Sequence, residues 1–173
     1  MSLAKLTSLV APAALAVLLG ISMSGCANQV PDPAAGLTGT GNDANGGPIS
    51  PGSDRDFSVN IGNIVYFTTD STDLTPDAQN TLRAQAGWLS KYPQYTLTLE
   101  GHADERGTRE YNLALGAKRS EVVRNFLASQ GVGAARMRTI SYGKERPVAV
   151  CDDISCWSQN RRVVTVLNQR PGA

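Results

Sequence analysis

The sequence of 173 residues has almost no net charge, because its 16 Lys and Arg residues are balanced by 15 Asp and Glu residues. Proteins that gather nucleic acid or acidic lipid over a broad surface need an excess of basic residues. A formal net charge of +1 supplies no such field, so any recognition of charge must be local. We therefore predict no nucleic-acid partner.

The sequence is also poor in the residues of common hydrolytic sites. It contains a single histidine, His102, and no Gly-x-Ser-x-Gly turn of the kind that carries a catalytic serine. One histidine cannot supply the ligand set of a usual metallohydrolase. Asp104 and Glu105 could act as acids beside His102, but we interpret His102 as a hydrogen-bonded residue that shapes a turn. We expect no catalytic residues, no metal and no cofactor.

Long apolar runs are missing except near the N-terminus. Residues 10–21 are apolar apart from a proline and a glycine, and they are too few to span a bilayer comfortably as a permanent helix. Lys5 precedes them and Met23-Ser24-Gly25-Cys26 follows, a pattern that resembles the lipobox of bacterial lipoproteins. The resemblance implies that residues 1–25 are a signal peptide and that Cys26 becomes lipidated. An ordinary secretory signal is the alternative.

Cysteine is scarce as well, and its placement fits an exported chain. Besides Cys26, the sequence has only Cys151 and Cys156. A disulfide between these two would close a short loop and stabilise the fold by about 2 kcal/mol. Two free thiols are the alternative. A structural zinc site is a weaker one, because His102 lies far away in sequence and a closed site needs four ligands.

Residues 27–56 contain mostly Pro, Gly, Asn, Asp and Ala, with few side chains that could be buried. Such a composition is typical of a flexible linker, and about 30 residues of coil span roughly 30 Å on average. We predict that residues 26–56 form a lipidated tether and that residues 57–173 form one folded domain.

The domain shows alternating strand and helix patterns. A proline follows the potential N-cap Thr75, and Ala78, Leu82, Ala86 and Leu89 then share one helical face. The predicted strands are 63–67, 95–100, 137–142 and 161–167. One predicted helix begins at residue 76 and is stopped by Tyr92-Pro93, and the other spans 109–130. This order predicts an α+β fold with a mixed four-stranded sheet and helices packed on one face.

One charged turn stands out, Glu-Gly-His-Ala-Asp-Glu-Arg-Gly-Thr at residues 100–108. In the helix that follows, Arg119 falls on a stripe with Leu115, Val122 and Phe126. We expect Asp104 and Arg119 to face each other across a cleft, where the carboxylate would bind an ammonium and the guanidinium a carboxylate. Alternatively, Arg119 reaches water past the helix edge or pairs with a carboxylate to close the core.

Several motifs in this order resemble one family. They are the turn at 100–108, Tyr-Asn-Leu-Ala-Leu-Gly at 111–116, Lys-Arg-Ser at 118–120, Ser-Tyr-Gly-Lys-Glu-Arg-Pro at 141–147 and Asn-Arg-Arg at 160–162. From about residue 60 to the end, the sequence resembles the OmpA-like domain family, and within it the lipoproteins that associate with peptidoglycan.

The resemblance implies binding of meso-diaminopimelate, whose side-chain end carries both an amine and a carboxylate. It adds Asp70 and Leu115 to Asp104 and Arg119 in the site, with Asn112 and Arg162 as neighbours. Thr69 stands where similar proteins usually have Phe, which implies weaker apolar contact with the ligand. Asp70 could otherwise be only a turn residue.

The resemblance further implies an outer-membrane lipoprotein whose domain lies in the periplasm and binds the wall. Ala27 after the lipidated cysteine fits sorting to the outer membrane. The implied partners are peptidoglycan, the membrane, and TolB with other components of the Tol-Pal system. A wall anchor that works without Tol and a periplasmic peptidoglycan hydrolase are the alternatives.

Overall fold

The computed structural model describes residues 48–169. The predicted signal peptide, Cys26 and the predicted tether up to residue 47 lie outside the described residues. Residues 48–56 contact the domain, because Ile49 is buried and the Gly52 carbonyl accepts a hydrogen bond of 2.8 Å from the Tyr95 hydroxyl. The folded part therefore begins ahead of the predicted boundary at residue 57.

Helices and strands alternate along most of the described chain. The strands are β1 Ile64–Tyr66, β2 Tyr95–His102, β3 Met137–Gly143 and β4 Arg162–Gln169. The α-helices are α1 Asp54–Asp56, α2 Pro76–Lys91, α3 Arg109–Ser129 and α4 Ile154–Asn160. A π-helix, Phe57–Gly62, continues α1, and a short 3-10 helix, Ala134–Arg136, leads into β3. No helix in this part of the chain is long and apolar enough to cross a membrane.

The strands form one mixed sheet in the order β1-β4-β2-β3, which confirms the predicted fold class. β2 and β3 are parallel and α3 connects them, as parallel neighbours require a crossover. β4 is antiparallel to both β1 and β2. β1 and β2 therefore run in the same direction, and the loops that follow them leave the same edge of the sheet.

The core lies between the sheet and the helices α2 and α3. Leu97 and Leu99 of β2 and Val163 of β4 point to this side, as the alternation of strand side chains requires. The predicted apolar face of α2 is confirmed, since its four residues are buried, and Thr75 caps the helix by accepting a hydrogen bond from the Ala78 amide at 3.2 Å.

The buried face of α3 differs from the predicted stripe. Gly116, Ser120, Val123 and Leu127 are buried with Arg119, whereas Val122 and Phe126 are only partly buried. The backbones of β2 and α3 approach each other closely at Gly101 and Gly116. There is no room for a side chain between them, because a Cβ added to Gly101 would lie 1.9 Å from the Gly116 carbonyl oxygen. Small side chains, which a search for apolar periodicity overlooks, therefore face the sheet here.

Candidate functional site

A cavity of about 280 Å³ opens at the edge of the sheet where the loops after β1 and β2 meet the first turns of α3. Both loops reach it because β1 and β2 run in the same direction. It is lined by Thr69, Asp70, Asp104, Arg106, Gly107, Tyr111, Asn112 and Leu115.

Five of the seven residues predicted for the binding site line this cavity. They are Thr69, Asp70, Asp104, Asn112 and Leu115, whereas Arg119 and Arg162 do not line it. Sequence reasoning missed Arg106, Gly107 and Tyr111, although the first two lie inside the turn that it singled out. The lining combines carboxylates, one guanidinium and an apolar side chain, a set suited to binding a small charged ligand.

Asp104 is buried and is held by two arginines. Nη2 of Arg106 donates to Oδ2 at 2.7 Å and Nε donates to Oδ1 at 3.2 Å, while Nη1 of Arg161 donates to Oδ2 at 3.3 Å. Burial alone would raise the pKa of this carboxyl, but the hydrogen bonds from Arg106 and Arg161 outweigh it and lower the pKa. Asp104 is therefore ionised at neutral pH.

Arg119 occupies a different position from the one expected. Its side chain is 0% exposed, and its guanidinium donates to the carbonyl oxygens of Ser71 at 2.9 Å, His102 at 2.9 Å and Thr68 at 3.2 Å. This corrects the predicted cleft, because the guanidinium joins the loop after β1 to the end of β2 instead of facing Asp104 across open space. Burial lowers the pKa of Arg119 to about 10, which keeps it charged at neutral pH.

Arg162 also lies apart from the cavity, and its neighbour Arg161 contacts Asp104 instead. Arg162 donates to the Arg146 carbonyl at 3.3 Å, whereas Arg161 donates to the Phe67 carbonyl at 3.2 Å. Successive residues of an extended chain point to opposite sides, and Arg161 shares its side with the buried Val163. The same alternation, applied to the sequence, would have favoured Arg161 over Arg162 as the arginine next to the predicted site.

Asp70 presents an exposed carboxylate on the other side of the cavity. Its φ of 55° lies in the left-handed region, which Asp tolerates better than most residues. Its Oδ1 accepts a hydrogen bond from the Tyr111 hydroxyl, and this bond raises the pKa of the tyrosine. The hydroxyl thus fixes the orientation of Asp70.

The loop between β2 and α3 is braced from both sides. The Asn112 amide donates to the Arg106 carbonyl at 2.6 Å, and Nζ of Lys144 donates to the carbonyls of Glu105 at 3.1 Å and Gly107 at 2.7 Å. Asn112 and Lys144 belong to two of the motifs noted in the sequence. Their side chains explain these motifs as supports of the loop.

His102 is buried, but its ring does not shape the turn through hydrogen bonds. Neither ring nitrogen has a hydrogen-bond partner among residues 48–169, and the ring packs against Tyr142 with 5.5 Å between centroids. Its carbonyl oxygen, which accepts from Arg119, makes the structural contact. Burial, with added repulsion from Arg162 and Arg146, lowers the pKa of His102 to about 4.

α4 lies beside the cavity and was not expected from the sequence. A disulfide joins Cys151 to Cys156 with 5.7 Å between their Cα atoms, so these sulfurs are not available as zinc ligands. Asp153 caps the helix by accepting from the Ser155 amide at 2.7 Å. The ring of Trp157 lies 4.3 Å from the guanidinium carbon of Arg106.

Comparison with known proteins agrees with this architecture. Residues 66–161 match the model of the OmpA family. A peptidoglycan-associated lipoprotein of Agrobacterium fabrum is 62% identical over 157 residues, which cover 90% of this chain and 87% of the relative. One from Pseudomonas aeruginosa is 42% identical over 156 residues, covering 87% and 89%.

A solved structure is also similar. The crystal structure of the peptidoglycan-associated lipoprotein from Burkholderia pseudomallei shares 43% identity with a TM-score of 0.64, and it covers 69% of this chain and 100% of that chain. The family match and the shared architecture lead to one conclusion. This chain belongs to the OmpA family, in its group of peptidoglycan-associated lipoproteins.

Proposed function

We propose that this protein binds the meso-diaminopimelate residue of peptidoglycan stem peptides without catalysing a reaction. The observation that carries the proposal is the cavity itself, which sets the carboxylates of Asp70 and Asp104 and the guanidinium of Arg106 around the apolar Leu115. The free end of diaminopimelate presents an ammonium, a carboxylate and a short aliphatic chain. Each of these groups has a complementary partner in the lining.

The names of the relatives support the same ligand class. Proteins that are 62% and 42% identical to this chain are called peptidoglycan-associated lipoproteins. A cavity of about 280 Å³ is small, and it suits one end of an amino acid better than a whole disaccharide peptide. The remainder of the muropeptide would extend over the surface around the cavity.

Sedimentation with purified cell-wall sacculi tests this function. The full-length protein in detergent should sediment with diaminopimelate-type sacculi, and free meso-diaminopimelate should release it. Lysine-type sacculi should retain less protein, because they lack the second carboxylate. Lack of sedimentation would contradict the proposal, and release of soluble muropeptides would favour a hydrolase.

The proposal extends to the place of this binding in the cell. Lipid on Cys26 would hold the protein in the outer membrane, the domain would lie in the periplasm, and the residues between them would set its reach. Wall binding would then tether the membrane to peptidoglycan and support envelope integrity during cell division.

The proposal also includes membership of the Tol-Pal system. This most specific element rests on the family resemblance. Co-purification with TolB after mild crosslinking is the expected result. If wall binding persists and TolB is not recovered, the protein is a wall anchor that works without Tol. That outcome would leave the proposed ligand unchanged.

A further inference from the structure

Two of the motifs noted in the sequence contain arginines that do not line the cavity, Arg162 of Asn-Arg-Arg and Arg146 of Ser-Tyr-Gly-Lys-Glu-Arg-Pro. Gly101 of β2 lies directly opposite Val163 of β4. The next position of this antiparallel register brings His102 beside Arg162. Val163 belongs to the core, so the alternation of strand side chains places these two on the face turned away from α2 and α3, here called the open face.

Arg162 is a buried cation that has no ion pair within the described part of the chain. The residue is 5% exposed, and its Nη2 donates to the Arg146 carbonyl at 3.3 Å. Nε and Nη1 are buried and have no hydrogen-bond partner among residues 48–169. Burial lowers the pKa of Arg162, and Tyr66 and Glu100 compensate only in part. Buried donors on a cation are costly unless an acceptor binds them, so Nε and Nη1 require one.

Arg146 lies at the same end of the open face, in the segment that follows β3. Its guanidinium carbon is 3.6 Å from the centroid of the Tyr142 ring. The residue is exposed, and its guanidinium has no hydrogen-bond or ion-pair partner in the part of the chain that the structure describes. Stacking on a ring leaves the N–H groups at the rim of a guanidinium available, so Arg146 can bind an anion.

The ring of His102 lies in the positive field of both arginines. Repulsion from Arg162 and Arg146 adds to burial in lowering the pKa of His102 to about 4, so the ring is neutral at pH 7 and carries one N–H donor. Glu100 supplies a carboxylate on the same face, where its Oε1 accepts from the Tyr142 hydroxyl at 3.5 Å. One carboxylate cannot balance two guanidinium groups, so this end of the open face keeps a local positive charge.

The geometry suits a phosphate better than a carboxylate. A carboxylate has two oxygens in one plane, and a single guanidinium can bind both of them. A phosphate monoester has three terminal oxygens and a charge of about −1.5 to −2 at neutral pH. The donors here come from three parts of the chain, β2, β4 and the segment after β3, which matches a group with three acceptor oxygens.

We propose that Arg146, Arg162 and His102 form a second binding site, on the open face of the sheet, for an ion or group of the phosphate class. The ligand first meets the exposed Arg146, whose side chain can turn and admit it to the buried N–H groups of Arg162. The site is separate from the cavity, and it does not depend on the proposed binding of peptidoglycan.

NMR titration of the full-length protein in neutral detergent at pH 7 tests the site. The single histidine reports on it, and inorganic phosphate should shift the ring signals of His102 saturably, whereas chloride at equal ionic strength should not. Arg162→Gln should weaken phosphate binding by at least about tenfold, because it removes a charge and two donors. Arg146→Gln alters an exposed side chain without touching the core, and it should weaken binding by about 3- to 10-fold.

Two further variants separate this site from a general effect of charge. Glu100→Gln removes the neighbouring carboxylate and should strengthen phosphate binding by about 2- to 5-fold. Arg138→Gln is the matched control, because Arg138 is an exposed arginine of β3 whose Nε donates to the Thr98 hydroxyl at 2.9 Å. It should bind phosphate like the parent.

Thermal unfolding supplies an independent measurement. Phosphate at ten times its Kd should raise the Tm of the parent by about 4 °C, because the ligand binds only the folded state. The Tm of Arg162→Gln should not respond. Titration with glycerol 3-phosphate distinguishes the sources of the ligand, since binding of this monoester would indicate a phosphate carried on a larger molecule such as a lipid headgroup. Binding of inorganic phosphate alone would indicate a free ion.

The proposal can be overturned without affecting the proposed function. If phosphate produces no saturable shift of His102 in the parent, or if either Arg162→Gln or Arg146→Gln folds and binds phosphate like the parent, the site is wrong. Sedimentation of the parent with sacculi would be unchanged by that result. Loss of wall binding with an intact response to phosphate would instead contradict the proposed function alone.

Discussion

Arg119 is the residue whose position most changes the interpretation of the site. A buried arginine on an apolar helix face requires partners, and its partners here are main-chain carbonyls of Thr68, Ser71 and His102. Its hydrogen bonds hold the loop that carries Asp70 against the end of β2, which leads into the loop that carries Asp104. Loss of its side chain should therefore affect folding as well as binding.

Arg119→Met should lower the free energy of unfolding by about 3 kcal/mol, because three carbonyl oxygens would lose their hydrogen bonds in a buried setting. Urea denaturation measures this loss. Lys118→Ala is the control, since Lys118 is an exposed neighbour in the same helix, and it should change stability by less than about 0.5 kcal/mol. Equal stability of both variants would contradict the structural role of Arg119.

His102 should make the stability of the domain depend on pH. Its pKa is about 4 in the fold and 6.5 in the unfolded chain, so the unfolded state binds the proton more readily between these values. The free energy of unfolding should be fully retained above pH 6.5 and fall towards pH 4, by at most about 1.4 kcal/mol per pH unit. His102→Phe should remove this part of the pH dependence.

The titration of His102 can be followed directly by NMR, because the sequence has only one histidine. The ring signals should shift with a midpoint near pH 4. A midpoint near the ordinary value of 6.5 would show that the ring is accessible to water in the folded protein.

At the residue scale, the sequence predicted Asp104 as a binding residue, and the family resemblance added Asp70; both line the cavity. The sequence did not predict which arginines form hydrogen bonds with Asp104. Arg106, Arg119 and Arg161 all lie near Asp104, and only their backbone positions decide which one is exposed. Helical periodicity placed Arg119 on the inner face correctly. It could not predict that main-chain carbonyl oxygens would be the hydrogen-bond acceptors of the Arg119 guanidinium.

At the element scale, the contact between α3 and β2 depends on two glycines. A Cβ added to Gly101 would come within 1.9 Å of the Gly116 carbonyl, so the helix would have to move away from the strand. We expect Gly101→Ala to lower the free energy of unfolding by about 3 kcal/mol. The cavity, which lies where the same two elements meet, should lose affinity for its ligand.

Gly87→Ala is the matched control for this substitution. Gly87 is exposed in α2, and a Cβ there meets nothing within 4 Å. Alanine should raise the free energy of unfolding by about 0.5–1 kcal/mol, because it favours helix over glycine. If both alanine variants behaved alike, the close backbone contact would not limit the packing of α3.

The long elements and the short strand β1 were predicted from the sequence, whereas α1, the π-helix, the 3-10 helix and α4 were not. Capping at Thr75 and the apolar face of α2 predicted that helix from its own residues. α4 has seven residues bracketed by cysteines, and its formation depends on Asp153 as a cap and on packing against the site. Residues 48–56 were assigned to the tether because their own composition is polar, although Ile49 is buried against the domain.

On the scale of the whole molecule, binding and anchoring should be separable. Cys26→Ser, combined with replacement of the predicted signal peptide at residues 1–25 by an ordinary cleavable secretory signal, should move the protein from the outer-membrane fraction to the soluble periplasm, as fractionation of cells would measure. The variant should still sediment with sacculi, because the cavity lies within residues 69–115. Retention of Cys26→Ser in the outer membrane would contradict the lipid anchor, and mass spectrometry of the mature protein would identify the group on Cys26.

The central claim is that the cavity between the loops after β1 and β2 binds the free end of diaminopimelate. The most direct measurement is an NMR titration of the isotope-labelled protein with a diaminopimelate stem peptide. We predict saturable shifts of the amides of Thr69, Asp70, Gly107 and Leu115 and of the Arg106 side chain. The exposed sheet residues Tyr66 and Ile140 should not shift. Shifts centred on the open sheet face, or no saturable shifts around the cavity, would contradict the account.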